Sequence, residues 1–193
     1  MKRKLSQIVV AIICIGLIIL SDKGSYIQKN KKNKENPETS ATAAEYIDYS
    51  ILNGNYSFKL PENYELKERN FEGGEIIYHG DFKDKNSPIR GIIQVWNIKT
   101  PLSKFLKESK LGETGIVEYK YYKIENIKLG ALKAYLLSYS RLGNDGKYYV
   151  SNEFYIPKTD TEFFRMSFFT PEEDYNENLK ETFKNIALYI KIN

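Results

Sequence analysis

KAYLLSYSRLGNDGKYYVSNEFYI, residues 133–156, is the stretch on which the fold turns. Its first half alternates. Ala134, Leu136, Ser138 and Ser140 point one way, and Tyr135, Leu137, Tyr139 and Arg141 the other, the period of two that marks a strand. Gly143-Asn144-Asp145-Gly146 is a turn signal, after which Lys147–Ile156 resumes with β-forming residues. Glu162–Phe169 supplies a third run, so the stretch opens a meander of three antiparallel strands.

Upstream, Val117–Leu129 is strand-like, with Glu118–Glu125 (EYKYYKIE) reading as an exposed or edge strand guarded by charges. Thr100-Pro101 starts a short amphipathic helix whose Leu102, Phe105 and Leu106 share one face, ending near Leu111-Gly112. Arg90–Lys99 precedes it; Ile92, Ile93, Val95 and Trp96 are apolar on both faces, which places this strand inside a sheet. Tyr64–Arg69 and Glu75–Asp81 are further strands, and Tyr46–Leu52 with Tyr56–Leu60 forms a hairpin around Asn53-Gly54-Asn55. Downstream, Thr170-Pro171-Glu172-Glu173 reads as a capping box opening a second helix, with Tyr175, Leu179, Phe183, Ile186 and Ala187 on its apolar stripe. The economical arrangement is one antiparallel sheet of about six to eight strands flanked by two helices, an α+β domain over residues 46–193.

Tyr56-Ser57-Phe58-Lys59-Leu60-Pro61-Glu62-Asn63-Tyr64 resembles the opening strand and turn of PsbP-like domains, bacterial relatives of the photosystem II extrinsic protein. The likeness continues in order through the Ile92–Ile98 strand, the Pro101–Lys110 helix, the Ala131–Ser140 and Lys147–Ile156 strands and the C-terminal helix, over roughly 56–192. It implies an antiparallel sheet covered by helices, in a family with many secreted or membrane-tethered bacterial members. The plant proteins' metal- and photosystem-binding residues have no counterparts here, so no photosynthetic role is carried over.

The formal charge of +4 and pI near 8.8 invite a nucleic-acid reading until the charge is located. Residues 1–45 carry 8 Lys/Arg against 4 Asp/Glu, while residues 46–193 carry 21 of each. The domain is neutral, and no nucleic-acid partner is expected. Lys, Ile, Asn and Tyr supply 78 of the 193 residues and all have AT-rich codons, so Lys and Tyr abundance is weak evidence of selection for binding.

Lys2, Arg3 and Lys4 precede the apolar run Ile8–Leu20, which Ser21-Asp22-Lys23 closes. These are the parts of a signal or anchor segment over residues 1–21. The run would make a helix of about 20 Å against about 30 Å of hydrocarbon. Ile19 fits a cleavage site poorly, so an uncleaved anchor is expected and a secreted, cleaved form is the alternative. Cys14, in mid-run, is read as an apolar helix residue rather than a lipidation site. The Lys-rich residues 22–45 read as a flexible linker with a reach of about 25–30 Å. The wholly positive N-flank puts the domain outside the cytoplasm.

One Cys and one His exclude an intramolecular disulfide and a Cys/His zinc site, and glycine-rich phosphate loops and HExxH or GxSxG motifs are absent. His79 is the one residue suited to proton transfer, placed by alternation on a face with Ile77 and Asp81, and is read as structural. No catalytic, cofactor or metal residues are assigned. The expectation is a membrane-tethered extracytoplasmic binding or assembly module, not an enzyme, with a protein or cell-envelope partner. A secreted small-ligand or wall-polymer binder is the alternative. An exposed aromatic patch would favour the first, a closed cavity of several hundred Å3 the second, and His79 buried beside a carboxylate and a serine in a cleft would reopen catalysis.

Overall fold

The computed structural model describes residues 45–70, 74–113 and 117–193. The anchor expected at 1–21, with Cys14, and nearly all of the linker expected at 22–45 lie outside the described residues. Among the described residues no helix is long and apolar enough to cross a membrane.

Among the described residues ten strands and two α-helices follow in the order β1 (Tyr46–Ile51), β2 (Tyr56–Pro61), β3 (Tyr64–Glu68), β4 (Ile76–Asp84), β5 (Arg90–Asn97), α1 (Leu102–Glu113), β6 (Tyr119–Leu129), β7 (Leu132–Leu142), β8 (Tyr148–Pro157), β9 (Glu162–Pro171), α2 (Glu177–Ala187) and β10 (Lys191–Ile192). Strands β3 to β9 form a seven-stranded antiparallel sheet in the order β3-β4-β5-β9-β8-β7-β6. The expected meander is β7-β8-β9, β5 is internal, and the EYKYYKIE strand is an edge. The α+β architecture with two helices therefore holds.

Two expectations are corrected. The first hairpin does not join the main sheet: β1 and β2 pair with β10 in a separate three-stranded sheet. Tyr56, Phe58 and Leu60 of β2 are its buried side and pack with Ile93, Val95, Phe164, Met166 and Phe168 of the main sheet. Burying one face of a short hairpin under a large sheet stabilises it more than lengthening that sheet by an edge. Second, Thr170-Pro171-Glu172-Glu173 is not a capping box. Pairing of β8 with β9 continues through Val150 opposite Thr170 and Tyr149 opposite Pro171, so both residues end a strand. Glu172–Asp174 form a 3-10 turn, Tyr175 is extended, and α2 begins at Glu177 with the Asn176 side chain accepting the Leu179 N–H at 3.2 Å. The carboxylates of Glu172 and Glu173 meet Lys120 and Lys147 instead. A smaller shift affects α1, where Leu102 rather than Pro101 is the first helical residue and donates its N–H to the Asp160 carbonyl at 2.8 Å.

Alternation sorts the main sheet into two buried faces. One carries Ile93, Val95, Phe154, Ile156, Phe164, Met166 and Phe168 against the small sheet and α2, where Phe183 stacks on Phe168 at 4.2 Å between ring centroids. The other carries Trp96, Leu137, Tyr139, Tyr155 and Phe163 against Leu102, Phe105 and Leu106 of α1.

Gly91 is the tightest point of the first face. It lies opposite Phe82 on β4 and Phe168 on β9, whose rings meet edge to face at 5.3 Å. A Cβ at position 91 would fall 2.0 Å from the Phe82 ring and 2.2 Å from the Ser167 carbonyl oxygen. The carbonyl belongs to a paired central strand and cannot yield cheaply. Gly91→Ala is expected to destabilise the domain by about 3 kcal/mol, at the high end for an overpacked core. Urea unfolding followed by fluorescence of Trp96, the one tryptophan, measures it.

Candidate functional site

The α1 face of the main sheet carries a continuous row of polar side chains. Cross-strand register puts His79 opposite Gln94, Gln94 opposite Arg165, and Arg165 opposite Tyr155. Glu153 and Ser167 face each other in the adjacent row. A bulge in β4 sets the parity: Ile76 and Tyr78 are two residues apart, yet Ile76 packs with Trp96 on the α1 face and Tyr78 packs into the opposite core. Beyond the bulge, His79 and Asp81 fall on the α1 side.

These groups bond to one another. Trp96 Nε1 donates to Gln94 Oε1 at 2.9 Å, and Arg165 Nη1 donates to the same oxygen at 3.1 Å. Both are donors only, so the Gln94 amide must present its NH2 to His79, whose Nδ1 lies 2.7 Å away. Nδ1 therefore accepts, the hydrogen sits on Nε2, and Nε2 donates to Asp81 Oδ1 at 3.0 Å. Asp81 is also held by the Arg69 guanidinium. Further along, Glu153 Oε2 accepts from Arg165 Nη2 at 2.8 Å, from Arg165 Nε at 3.1 Å and from the Tyr155 hydroxyl at 2.5 Å, while Oε1 accepts the Tyr139 hydroxyl at 2.8 Å. Arg165 Nε also reaches Ser167 Oγ at 3.0 Å.

The electrostatics follow from burial and pairing. Burial alone would raise the Glu153 carboxyl, but the Arg165 charge and the hydrogen bonds from Tyr155, Arg165 and Tyr139 outweigh it and hold the group below its ordinary 4.5. Burial likewise opposes ionisation of Asp81, and His79 and Arg69 overcome it, lowering that carboxyl from 3.8. Tyr139 and Tyr155 are pushed well above 10.0, chiefly by burial and further by the Glu153 charge, against the opposing pull of Arg165.

His79 is thus buried beside a carboxylate, as the catalytic test required, but its second ring nitrogen meets Gln94 and not a serine. Ser167 bonds Arg165. The hollow beside His79, lined by Glu68, Arg69, Asn70 and Ile76–His79, measures about 90 Å3, and a second, at Lys147, Tyr148 and Pro171–Glu173, about 170 Å3. Neither approaches the roughly 300 Å3 of an ordinary ligand pocket. Among the described residues no group of three His, Cys, Asp or Glu is placed to hold a metal ion. Sequence reading singled out His79 and missed Gln94, Glu153 and Arg165. The signal was there in part: Gln94 interrupts the apolar run IIQVW, Arg165 is the one charge in FFRMSFF, and Glu153 leads into the apolar FYI after Ser151-Asn152.

The outer edge is organised differently. β6 pairs only with β7 among the described residues and leaves Tyr121, Ile124 and, beside it, Leu142 on β7 more than a third exposed. Tyr119, Tyr122 and Tyr139 pack edge to face and stacked, with centroids 5.3–5.9 Å apart, and Tyr122 meets Ser109 of α1. Of the Tyr-rich strands 135–155, Tyr139 and Tyr155 are core and Tyr135, Tyr148 and Tyr149 are half-buried.

Two outcomes test the network. Glu153→Gln and Arg165→Met are each expected to cost about 3–5 kcal/mol, since each strands a buried partner, while the double variant costs clearly less than their sum. Urea midpoints of the four proteins measure the coupling. The pH profile has a worked sign. Lowered carboxyls stabilise above their ordinary 3.8–4.5 and lose that contribution as pH falls through the folded values. Raised tyrosines stabilise below 10.0 and lose that contribution as pH rises through theirs. Stability should be flat between these limits and fall on either side, with a shallower acid limb in Glu153→Gln; urea midpoints across pH check it.

No protein-family model matches the chain, and no curated protein matches it in sequence. Solved structures do match in backbone. Cyanobacterial PsbP (CyanoP) from Synechocystis aligns with a TM-score of 0.54 at 14% identity, covering 82% of this chain and 98% of that one. A protein from Bacteroides thetaiotaomicron aligns with a TM-score of 0.52 at 13% identity over 76% of this chain, which spans only 48% of that longer protein. Element order, the antiparallel seven-stranded sheet and helices on both faces agree with the resemblance drawn from the YSFKLPENY segment, and the chain has the PsbP-like fold.

Proposed function

We propose that this chain is a membrane-tethered, extracytoplasmic binding or assembly module without catalytic activity, whose partner contacts the β6 edge of the main sheet. The observation that carries the reading is the distribution of bonding capacity. Groups with chemical potential are committed to one another inside the sheet: both ring nitrogens of His79, both oxygens of Glu153 and the Arg165 guanidinium have protein partners. Among the described residues the open main-chain capacity lies at the sheet edges, of which the 11-residue β6, with one neighbour, is the longest.

Such an edge accepts an additional strand through main-chain hydrogen bonds, with side chains on alternate positions selecting the partner. Tyr121 and Ile124 are apolar anchors on opposite faces of that edge, and aromatic and aliphatic anchors dominate protein recognition. The small-ligand alternative loses support from hollows of about 90 and 170 Å3. Tethering and orientation rest on the charged start, the Ile8–Leu20 run and the polar stop.

Full-length protein carrying a photo-crosslinking residue at position 121 tests this in native membranes. A specific adduct from 121, and none from Glu108 on exposed α1, is expected. Absence of an adduct at 121 overturns the surface assignment, and recovery of the protein in the cytosolic fraction overturns the location.

A further inference from the structure

We infer that the strand added to β6 is the β6 strand of a second copy of this chain, paired antiparallel about a two-fold axis at Ile124. The inference rests on the reading of β6 as the contact edge and names its occupant.

A two-fold axis relating antiparallel edge strands stands perpendicular to the sheet and keeps each side chain on its own face. Directly opposed residues must also share a face. The axis must therefore pass through a residue position rather than between two, so only a few registers exist, and charge separates them. Centred on Lys123, two lysines meet at the axis; centred on Glu125, two glutamates do. Centred on Tyr122, the pairing runs into the bulge at Tyr119–Tyr121, and centred on Asn126, Lys128 falls opposite Ile124. Centred on Ile124, Lys123 faces Glu125 of the second copy and Glu125 faces its Lys123, while Tyr121 faces Ile127 and Ile124 faces itself.

The geometry of β6 suits that register. Its regular stretch begins at Tyr121, after the bulge at Tyr119–Tyr121, so Tyr121–Ile127 is an uninterrupted segment symmetric about Ile124. Lys123 and Glu125 are already paired on one face at 2.9 Å, with the lysine side chain 64% exposed and the carboxylate 32% exposed. In the dimer each carboxylate lies between its own Lys123 and that of the second copy, giving an alternating square of four charges. Lys120 lies in the bulge, outside the regular stretch, and is paired with Glu172 in its own chain. On the α1 face, Ile124 is 38% exposed as a monomer and is covered by its counterpart. Charges on an edge strand usually repel further strands; here, of these five registers, only the one centred on Ile124 sets Lys123 against Glu125.

The experiment uses the full-length protein with Cys14→Ser, in detergent and in membranes. Opposed residues in an antiparallel pair have Cα atoms about 4.5–5.5 Å apart, within disulfide reach. Ile124→Cys is expected to oxidise to a covalent dimer and Tyr121→Cys alone is not, whereas Tyr121→Cys mixed with Ile127→Cys is. Sedimentation of the cysteine-free chain should give a dimer. Lys123→Glu and Glu125→Lys should each weaken it about ten-fold or more, and the double charge swap should restore it. A monomeric chain, single swaps without effect, or equal cross-linking at 121 and 124 overturns the inference. If the chain is monomeric while position 121 still cross-links a different protein, the edge reading stands and only the occupant is wrong. If neither occurs, both fall.

Discussion

Glu153 is a carboxylate almost wholly withdrawn from water, and the arrangement of the main sheet follows from keeping it satisfied. Its neighbours come from three strands: Arg165 on β9, Tyr155 beside it on β8 and Tyr139 on β7. Slipping any of these strands by one residue would turn a partner to the other face and leave a charge buried alone, at a cost of several kcal/mol. Apolar contacts are tolerant of register, because Phe, Ile and Leu substitute for one another in a core. The ion pair is not tolerant, and it fixes the alignment that the aromatic packing on both faces then exploits. Gln94 extends the constraint across β5 to His79 and Asp81, so that one chain of hydrogen bonds spans β4 to β7.

Much of the fold was legible from the pattern within each strand. β7 alternates, β8 resumes with β-forming residues after a turn signal, and β5 is readable as internal from its apolar run. What escaped was set by tertiary competition. Thr170 and Pro171 have the local chemistry of a helix start, but continued pairing with β8 satisfies their backbone, and Asn176 becomes the cap. β10 has two residues and no pattern of its own; it is a strand because β2 offers it an edge. The division into two sheets was illegible for a related reason, since alternation reports that a face is buried and not what buries it.

The polar row was only partly legible. His79 drew notice as the chain's one histidine, yet its partners are identified by register, which no single strand reveals. Backbone likeness to cyanobacterial PsbP at 14% identity conveys the shape of the sheet and not the side chains upon it. A functional argument for this chain therefore starts from its own groups. In this case those groups separate into an interior whose polar atoms answer one another and an edge whose main chain has a neighbour on one side.

The pairing of β2 with β10 has a consequence for how the chain is made. β2 lies near the start of the domain, and its second neighbour, Lys191–Ile192, comes after every other described strand. Asn193 completes the seam by bonding Asn55 and Gly54. During vectorial synthesis the sheet that carries Tyr56, Phe58 and Leu60 has to wait for the rest of the domain before it is closed. The small sheet therefore closes only once β10 is present, so the leading end of the domain is among the last parts of it to reach final packing.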